Sequence, residues 1–367
     1  MAHMEALCKA DAVKNVYLFT PDVYKTVAKL EYVTHSARLS AWFGDGIARV
    51  IGAWRLARTI QPDLVIGYHL PWNGLMALLI ARRSAAKAAY FSVGGPPELI
   101  GGGIYSEHAL FSRLNGENAY IEGRLIKLLR EFDAILTMGT RSRDFFLSLA
   151  VDTPAIPVAV GINDTRFSSR DSTGRDNAEF DLVSVGRLSA IKQTDEFLKI
   201  VAALEQDGRP VDAAVVGDGD QRESLQALAR ELNISDRVRF FGWVDDVEGI
   251  LKRSKVFMMT SASEGLPHSL IEAMLTGMPA IVPNVGEIGD LVASGMNGYL
   301  IMGNDTQSFV SDTRSLLDDP ENLEQLGEAA RRSALHYTVD ERVLVWNDAL
   351  DRIMKSSAQS QSAYDPE

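Results

Sequence analysis

Glu264 and Glu272 are the residues of this chain whose setting most resembles a chemical site. They bracket the segment Ser263-Glu-Gly-Leu-Pro-His-Ser-Leu-Ile-Glu-Ala-Met274. The apolar run Lys255–Thr260 ahead of it reads as a strand. Gly265 and Pro267 mark a loop. Pro267 suits the first turn of a helix over 267–276, where its missing N–H is not needed. A strand, a glycine loop and a helix N-terminus aim backbone amides above a sheet edge, which suits phosphate or sugar oxygens. Carboxylates repel phosphate, so the two glutamates suit neutral hydroxyl donors. These parts together describe a site for a nucleotide-linked sugar.

A second constellation is Val185-Gly-Arg-Leu-Ser-Ala-Ile-Lys192. Gly186 permits a sharp turn off a strand end. Arg187 and Lys192 then lie at the carboxyl edge of the sheet, where open α/β sheets bind ligands. Arg offers a rigid fork and Lys a point charge, a pairing that suits a diphosphate. Gly217-Asp218-Gly219 follows the next strand, as a tight turn or as a nucleotide loop; it lacks a Walker lysine and the third glycine of a dinucleotide fingerprint. Gly242-Trp243-Val244 follows the strand after that, and either presents backbone to a base or packs inward.

The elements that must hold these residues alternate along the chain. Short apolar runs and amphipathic helical patterns succeed one another in both halves, which implies parallel α/β layers. Strands are expected at 15–20, 63–68, 88–92, 134–138 and 155–160, then near 181–185, 212–216, 237–241, 255–260, 279–282 and 298–301. Helices are expected near 41–60, 74–84, 106–114, 118–131 and 141–149. In the second half they are expected near 193–206, 220–232, 246–253, 267–276, 287–294 and 306–318, with two more at 321–336 and 339–355. The polar stretch Ser168–Ala178 reads as the linker. The expected domains are 5–160, short and on the acceptor side; 161–338, on the donor side; a helix at 339–355 that crosses back to the first; and a disordered tail at 356–367.

Composition narrows the function classes. A chain of 367 residues accommodates two domains. The net charge of −12 argues against nucleic acid. The charge is uneven: residues 1–158 carry 17 basic and 14 acidic residues, the remainder 20 and 35. The first half thus tolerates an anionic acceptor or membrane surface. Cys8 is the sole cysteine, so no internal disulfide forms. No run reaches about 18 apolar residues, the length of a membrane span. The opening Met1-Ala-His-Met4 reads as a cloning remnant with no part in the fold.

The ordered set of Gly186-Arg187-Leu188…Lys192 and the Glu264/Glu272 pair resembles retaining GT-B glycosyltransferases of the bacterial group 1, or family-four, class. Val285–Val292 and Gly295-Met-Asn-Gly298 resemble that family's next loop and strand entry, and Pro157–Phe167 its crossing between domains. The resemblance implies two Rossmann-like doubly wound domains facing across a cleft. It implies that Glu272 accepts from ribose hydroxyls, and that Glu264 with Gly265, Leu266 and Pro267 holds the transferred sugar. Arg187 and Lys192 would bind the diphosphate. Gly186, Gly217, Asp218, Gly242, Trp243 and Val244 would line the nucleotide pocket. It implies retention by front-face attack, with no metal and no cofactor beyond a UDP- or GDP-sugar donor. The C-terminal helix resembles the family's closing helix, with Val343, Val345, Trp346, Leu350 and Ile353 as packing residues.

The first half departs from the family. Its first strand is followed by Pro21-Asp-Val-Tyr-Lys25 rather than glycines, and an early βα unit is expected to be missing. Ser92 stands where the family often has histidine. His69, Ser92, Gly94 and Gly95 are the acceptor-side candidates, with Glu98 and Gly101–Gly103 in the same glycine-dense loop. His108 and Glu107 start a helix, and His268 opens the donor helix. Arg124, Lys127 and Arg130 share one helical face, which is either solvated or meets an anionic lipid carrier. The expected partners are a nucleotide sugar and a glycan, glycolipid or polyprenyl-diphosphate-linked acceptor, and no nucleic acid. The expected location is the cytoplasm, peripheral to the inner membrane. A nucleotide-sugar epimerase and a non-catalytic nucleotide-sugar-binding subunit are the competing readings.

Overall fold

The computed structural model describes residues 2–20, 26–34, 37–100, 118–163, 165, 167, 178–303 and 305–355. The expected helix at 106–114, Gly101–Gly103, Glu107, His108, nearly all of the linker and the tail beyond 355 lie outside the described residues. The chain divides into two compact units: Met1–Gly161 with the stretch from Val339, and Ile162–Thr338.

In the first unit the strands are β1 (Val16–Phe19), β2 (Leu30–Val33), β3 (Leu64–Tyr68), β4 (Lys87–Ser92), β5 (Ala134–Thr137) and β6 (Ala155–Pro157). The helices are α1 (Ala2–Lys9), α2 (Ala37–Ile60), α3 (Leu75–Ser84), α4 (Ala119–Leu129) and α5 (Thr140–Ser148). β3-β4-β5-β6 form one parallel sheet, and β1 and β2 pair in parallel beside it, Val16 opposite Leu30. β4 is buried from Ala88 to Ser92, as a strand covered on both faces must be. Helix α2 is interrupted at Gly44, whose φ is 78°.

Two expectations for this unit are corrected. The opening segment does take part in the fold: α1 begins at Ala2, and Met4 is buried against Cys8 and Leu30. Asn347 clamps the end of that segment, accepting from the Asp11 amide and donating to the Asp11 carboxylate, both at 2.9 Å. Between the first expected strand and α2 lies a second strand, β2, which sequence reading missed. Four residues, Leu-Glu-Tyr-Val, give too little alternation to stand out.

The second unit runs β7 (Phe180–Val185), α6 (Thr194–Gln206), β8 (Ala213–Val216), α7 (Arg222–Glu231), β9 (Val238–Gly242), α8 (Val247–Lys252), β10 (Ser254–Met258), α9 (His268–Leu275), β11 (Ala280–Pro283), β12 (Gly298–Ile301), α10 (Thr306–Leu317) and α11 (Pro320–Leu335). Its six-stranded sheet has the order β12-β11-β10-β7-β8-β9, parallel throughout. Its core joins Phe197, Leu198 and Val201 of α6 to the sheet and to Phe309 and Leu316 of α10. The expected helix at 287–294 is only a turn, Ile288–Asp290. The Glu287 amide donates to the Gly265 carbonyl at 2.9 Å, and Asn297 takes the Ala293 amide at 2.8 Å and the Leu291 carbonyl at 2.9 Å.

A last helix, α12 (Val339–Lys355), belongs to the first unit and buries Trp346, Ala349, Leu350 and Ile353. Trp346 meets Phe91 edge-on, with ring centroids 6.5 Å apart. Val343 and Val345 are only half-buried. Among the described residues no helix is long and apolar enough to cross a membrane.

Candidate functional site

The strand order of the second unit reverses direction around β7 and β10, and ligands bind open α/β sheets at such a point. The loops leaving these strands are fastened to each other. The Ala262 amide donates to the Ile191 carbonyl at 2.9 Å, and the Thr260 hydroxyl donates to the Gln193 carbonyl at 2.8 Å. The result brings Lys192 and Glu264, 72 residues apart, into contact: Lys192 Nζ donates to Glu264 Oε1 at 2.5 Å. The Glu264 side chain is 9% exposed and that of Lys192 27%. A recess opens beside this pair, lined by Ser184, Gly186, Arg187, Lys192, Thr260 and Ser261. Arg187 is exposed at its edge, and its guanidinium makes no ion pair among the described residues.

The neighbouring loops close the other side. The Gly186 amide donates to Val216 and the Leu188 amide to the Asp218 carbonyl, at 2.9 and 3.0 Å. Gly217 has φ +133°, and a Cβ there would stand 1.9 Å from the Gly186 carbonyl oxygen. Gly217 therefore lets two loops touch backbone to backbone. Its amide donates to Gly242 at 2.9 Å, which brings the loop after β9 to the same edge. Trp243 projects from there, 81% exposed.

Several expected contacts take other roles. Asp218 spends its carboxylate on its own loop: Oδ1 accepts from the Gly219 amide at 2.8 Å and Oδ2 from Arg222 at 2.7 Å. These two bonds hold its carboxyl below the usual carboxylate range. Leu266 and Pro267 are buried, so they offer only backbone. Pro267 is the cap of α9, in extended conformation, and not a member of its first turn. Its side chain caps no amide there. Glu272 lies in α9, half-buried. Thr260, Ser261 and Arg222 were not singled out from sequence. Short polar residues after a strand and a helical Arg are common, and only the fold brings them to this edge.

In the first unit, Glu98 is the organising residue. Its side chain is 6% exposed. It accepts from Tyr90 Oη at 2.7 Å and from the Gly94 amide at 2.5 Å, and it meets His69 Nδ1 at 2.9 Å. Burial, with the Glu98 charge adding to it, pushes the Tyr90 phenol well above its usual range, so it stays a neutral donor. His69 has φ 63°, unusual for a residue with a side chain, and its ring is 45% exposed at the carboxyl edge of β3. The glycine-dense loop thus wraps a carboxylate. Ser92 is a correction: it is fully buried and turned toward the Gly95 carbonyl, so its side chain is not an acceptor contact. Gly95 lies against Ser142.

The comparisons place this geometry. The model of the family "Glycosyl transferases group 1" matches residues 165–333, nearly the whole second unit. The second unit thus resembles the group 1 glycosyltransferases, and the fold of the chain is that of the GT-B class. It is similar to an uncharacterized glycosyltransferase of Haemophilus influenzae, 30% identical over 170 residues, which are 46% of this chain and 48% of that protein. It is also similar to the UDP-Gal:alpha-D-GlcNAc-diphosphoundecaprenol alpha-1,3-galactosyltransferase of Escherichia coli, 33% identical over 143 residues, 38% of this chain and 37% of that one. The match to the first curated relatives spans about half of their length. Among solved structures, the sucrose-phosphate synthase from Thermosynechococcus elongatus shares the fold, with a TM-score of 0.76, 18% identity, and coverage of 97% of this chain and 92% of that one.

Proposed function

We propose that this protein transfers a hexosyl group from a nucleotide diphosphate sugar, UDP or GDP, to a glycan or lipid-linked acceptor, with retention and without a metal. The observation that supports it most is the meeting of Lys192 and Glu264 beside Arg187 at one sheet edge. A diphosphate is a stronger partner for Lys192 than one carboxylate, because it offers more charge and more acceptor oxygens. On donor binding Lys192 turns to the phosphate, and Glu264 is released to accept from sugar hydroxyls. Arg187 and Lys192 then stabilise the charge that develops as the bond from the anomeric carbon to phosphate oxygen breaks. The acceptor hydroxyl attacks from the same face, its proton passes to the departing phosphate oxygen, and the anomeric configuration is kept. Glu264 orients the sugar and forms no bond. Glu272 holds the ribose. Within the first unit, the His69–Glu98 pair at the carboxyl edge of β3 is the polar group suited to an acceptor hydroxyl. The name of the Escherichia coli relative, which acts on a diphosphoundecaprenol-linked sugar, supports a lipid-linked acceptor.

Thermal shift with UDP-, GDP-, ADP- and dTDP-sugars tests the donor. One base family should stabilise the protein by about 2.7 kcal/mol at 100-fold saturation, and Glu272→Ala should abolish that shift. A flat panel overturns the reading. NMR of the product's anomeric carbon then tests retention, and turnover in excess chelator tests metal independence. Donor binding with no transfer to any acceptor would favour a non-catalytic partner subunit. Release of a free epimerised sugar would favour an epimerase.

A further inference from the structure

The loops that follow β8 and β9 meet over one side chain, Arg222, that has no part in holding the diphosphate. Arg222 opens α7, and its guanidinium donates to the Asp218 carboxylate at 2.7 Å. From there it lies across Gly242, the last residue of β9: a Cβ at that glycine would stand 2.6 Å from Nη1 and 3.2 Å from Nη2. Gly242 has φ +71°, a conformation that favours glycine. An exposed Asp–Arg pair four residues apart adds little to a helix and needs no glycine on a neighbouring loop. The arrangement instead holds the guanidinium between two strand ends, with the side chain 35% exposed. Trp243 follows at once, and its indole is 81% exposed beside the same glycine.

Position along the sheet edge selects the part of the ligand that Arg222 meets. Gly186 lines the recess beside Lys192, Gly217 packs on the Gly186 carbonyl, and the Gly217 amide donates to the Gly242 carbonyl at 2.9 Å. β9 lies two strands from β7, about 10 Å at the usual strand spacing. With the sugar on the Glu264 side and the diphosphate on Arg187 and Lys192, the far end of a nucleotide, its base, falls at Gly242 and Trp243. Arg222 stands outside the lining of the recess and shares its charge with Asp218, so it suits a neutral ring and not a phosphate. A guanidinium has five N–H donors and no acceptor. It can bind a base only through acceptor atoms, such as a carbonyl oxygen of uracil or the O6 and N7 of guanine. Adenine sets an amino group, itself a donor, beside its N7. An exposed indole adds stacking, which every base accepts.

We propose that Arg222 selects the base of the donor: it donates to a carbonyl of uracil or guanine and disfavours adenine, Asp218 holds it in place, and Trp243 stacks on the ring without choosing among bases. This role rests on the nucleotide-sugar reading of the second unit, so binding and its dependence on the base are measured apart.

Calorimetric titrations of the full chain with UDP, GDP and ADP give both. UDP or GDP should bind at least about tenfold more tightly than ADP, the discrimination that well-placed donors to a base edge provide. Arg222→Leu should weaken the preferred nucleotide by about tenfold or more and leave ADP nearly unchanged, so that the ratio falls toward one. Arg222→Lys, which keeps a donor without the planar fork, should fall between the two. Trp243→Ala should weaken all three nucleotides alike, by about tenfold, and keep the ratio. Arg230→Gln, exposed at the far end of α7, should alter neither affinity nor ratio. Unchanged thermal midpoints show that the variants fold. A wild-type ratio retained in Arg222→Leu overturns the proposal and leaves the donor site standing. So does ADP binding as tightly as UDP and GDP. No binding of any nucleotide by the wild type overturns the donor site itself, and the role of Arg222 with it.

Discussion

At the scale of single residues, two buried polar groups carry opposite predictions. Ser261 Oγ is buried beside the recess and has no hydrogen-bond partner among the described residues. A buried hydroxyl without a partner costs about 1–3 kcal/mol. Ser261→Ala is therefore expected to leave stability unchanged or to raise it by up to about 1 kcal/mol, read from urea midpoints. A drop of that size would mean that the hydroxyl is satisfied after all. Glu98 is the reverse case, a buried carboxylate with a phenol, an amide and an imidazole around it. Glu98→Ala strands the buried Tyr90 hydroxyl, while the exposed His69 ring and Gly94 amide can turn to water, and should cost about 1–3 kcal/mol. Glu98→Gln, which keeps one acceptor oxygen, should cost clearly less. Equal losses would show that shape, not hydrogen bonding, is what Glu98 supplies.

At the scale of elements, the donor edge depends on loops that touch through backbone. Gly286 has φ +54°, and a Cβ there would stand 1.9 Å from the Glu264 carbonyl oxygen. No rotamer relieves a clash with backbone, so Gly286→Ala must displace the Glu264 loop. It is expected to lower donor affinity by tenfold or more, measured by calorimetry, with a stability loss above the roughly 1 kcal/mol of an ordinary glycine substitution. Gly217→Ala should act alike through Gly186, while Gly208→Ala, where a Cβ would meet nothing within 4 Å, should leave donor affinity unchanged. Unaltered affinity in Gly286→Ala would detach that loop from the site. Much of this scale was legible beforehand. The parallel strands of the second unit were readable because most are short, mainly apolar runs, as Ala213–Val216 and Ala280–Pro283 show. The helix expected at 287–294 stops after one turn because the Asn297 side chain takes the Ala293 amide and the Leu291 carbonyl, a competition that periodicity does not show.

At the scale of the whole molecule, the chain returns to its first unit at the end. α12 buries Trp346 completely against Phe91. Trp346→Ala should cost about 3–5 kcal/mol, and in scanning calorimetry the transition of the first unit should fall while that of the second, followed by its donor-induced shift, stays in place. A parallel fall of both would show one cooperative block instead of two compact units. The same return explains why the opening residues mattered. Met4 looked expendable because Met1–Met4 reads as a cloning remnant; with Cys8 it completes a small cluster only once Leu30 of β2 has come against α1.

What the sequence determined by itself was the fold class, and it singled out the candidate site residues. Periodicity, glycine at strand ends and the ordered spacing of Arg187, Lys192, Glu264 and Glu272 are local facts, and local facts survive without coordinates. The tertiary structure decided how those side chains are used. Lys192 and Glu264 neutralise each other across 72 residues of chain. Asp218 is consumed by its own loop, Ser92 is turned inward, and Glu98 gathers His69, Tyr90 and Gly94. The place of Arg222 across Gly242 also became visible only there. Which loops share an edge depends on the order of the strands, and that is set by the sheet and not by any one segment.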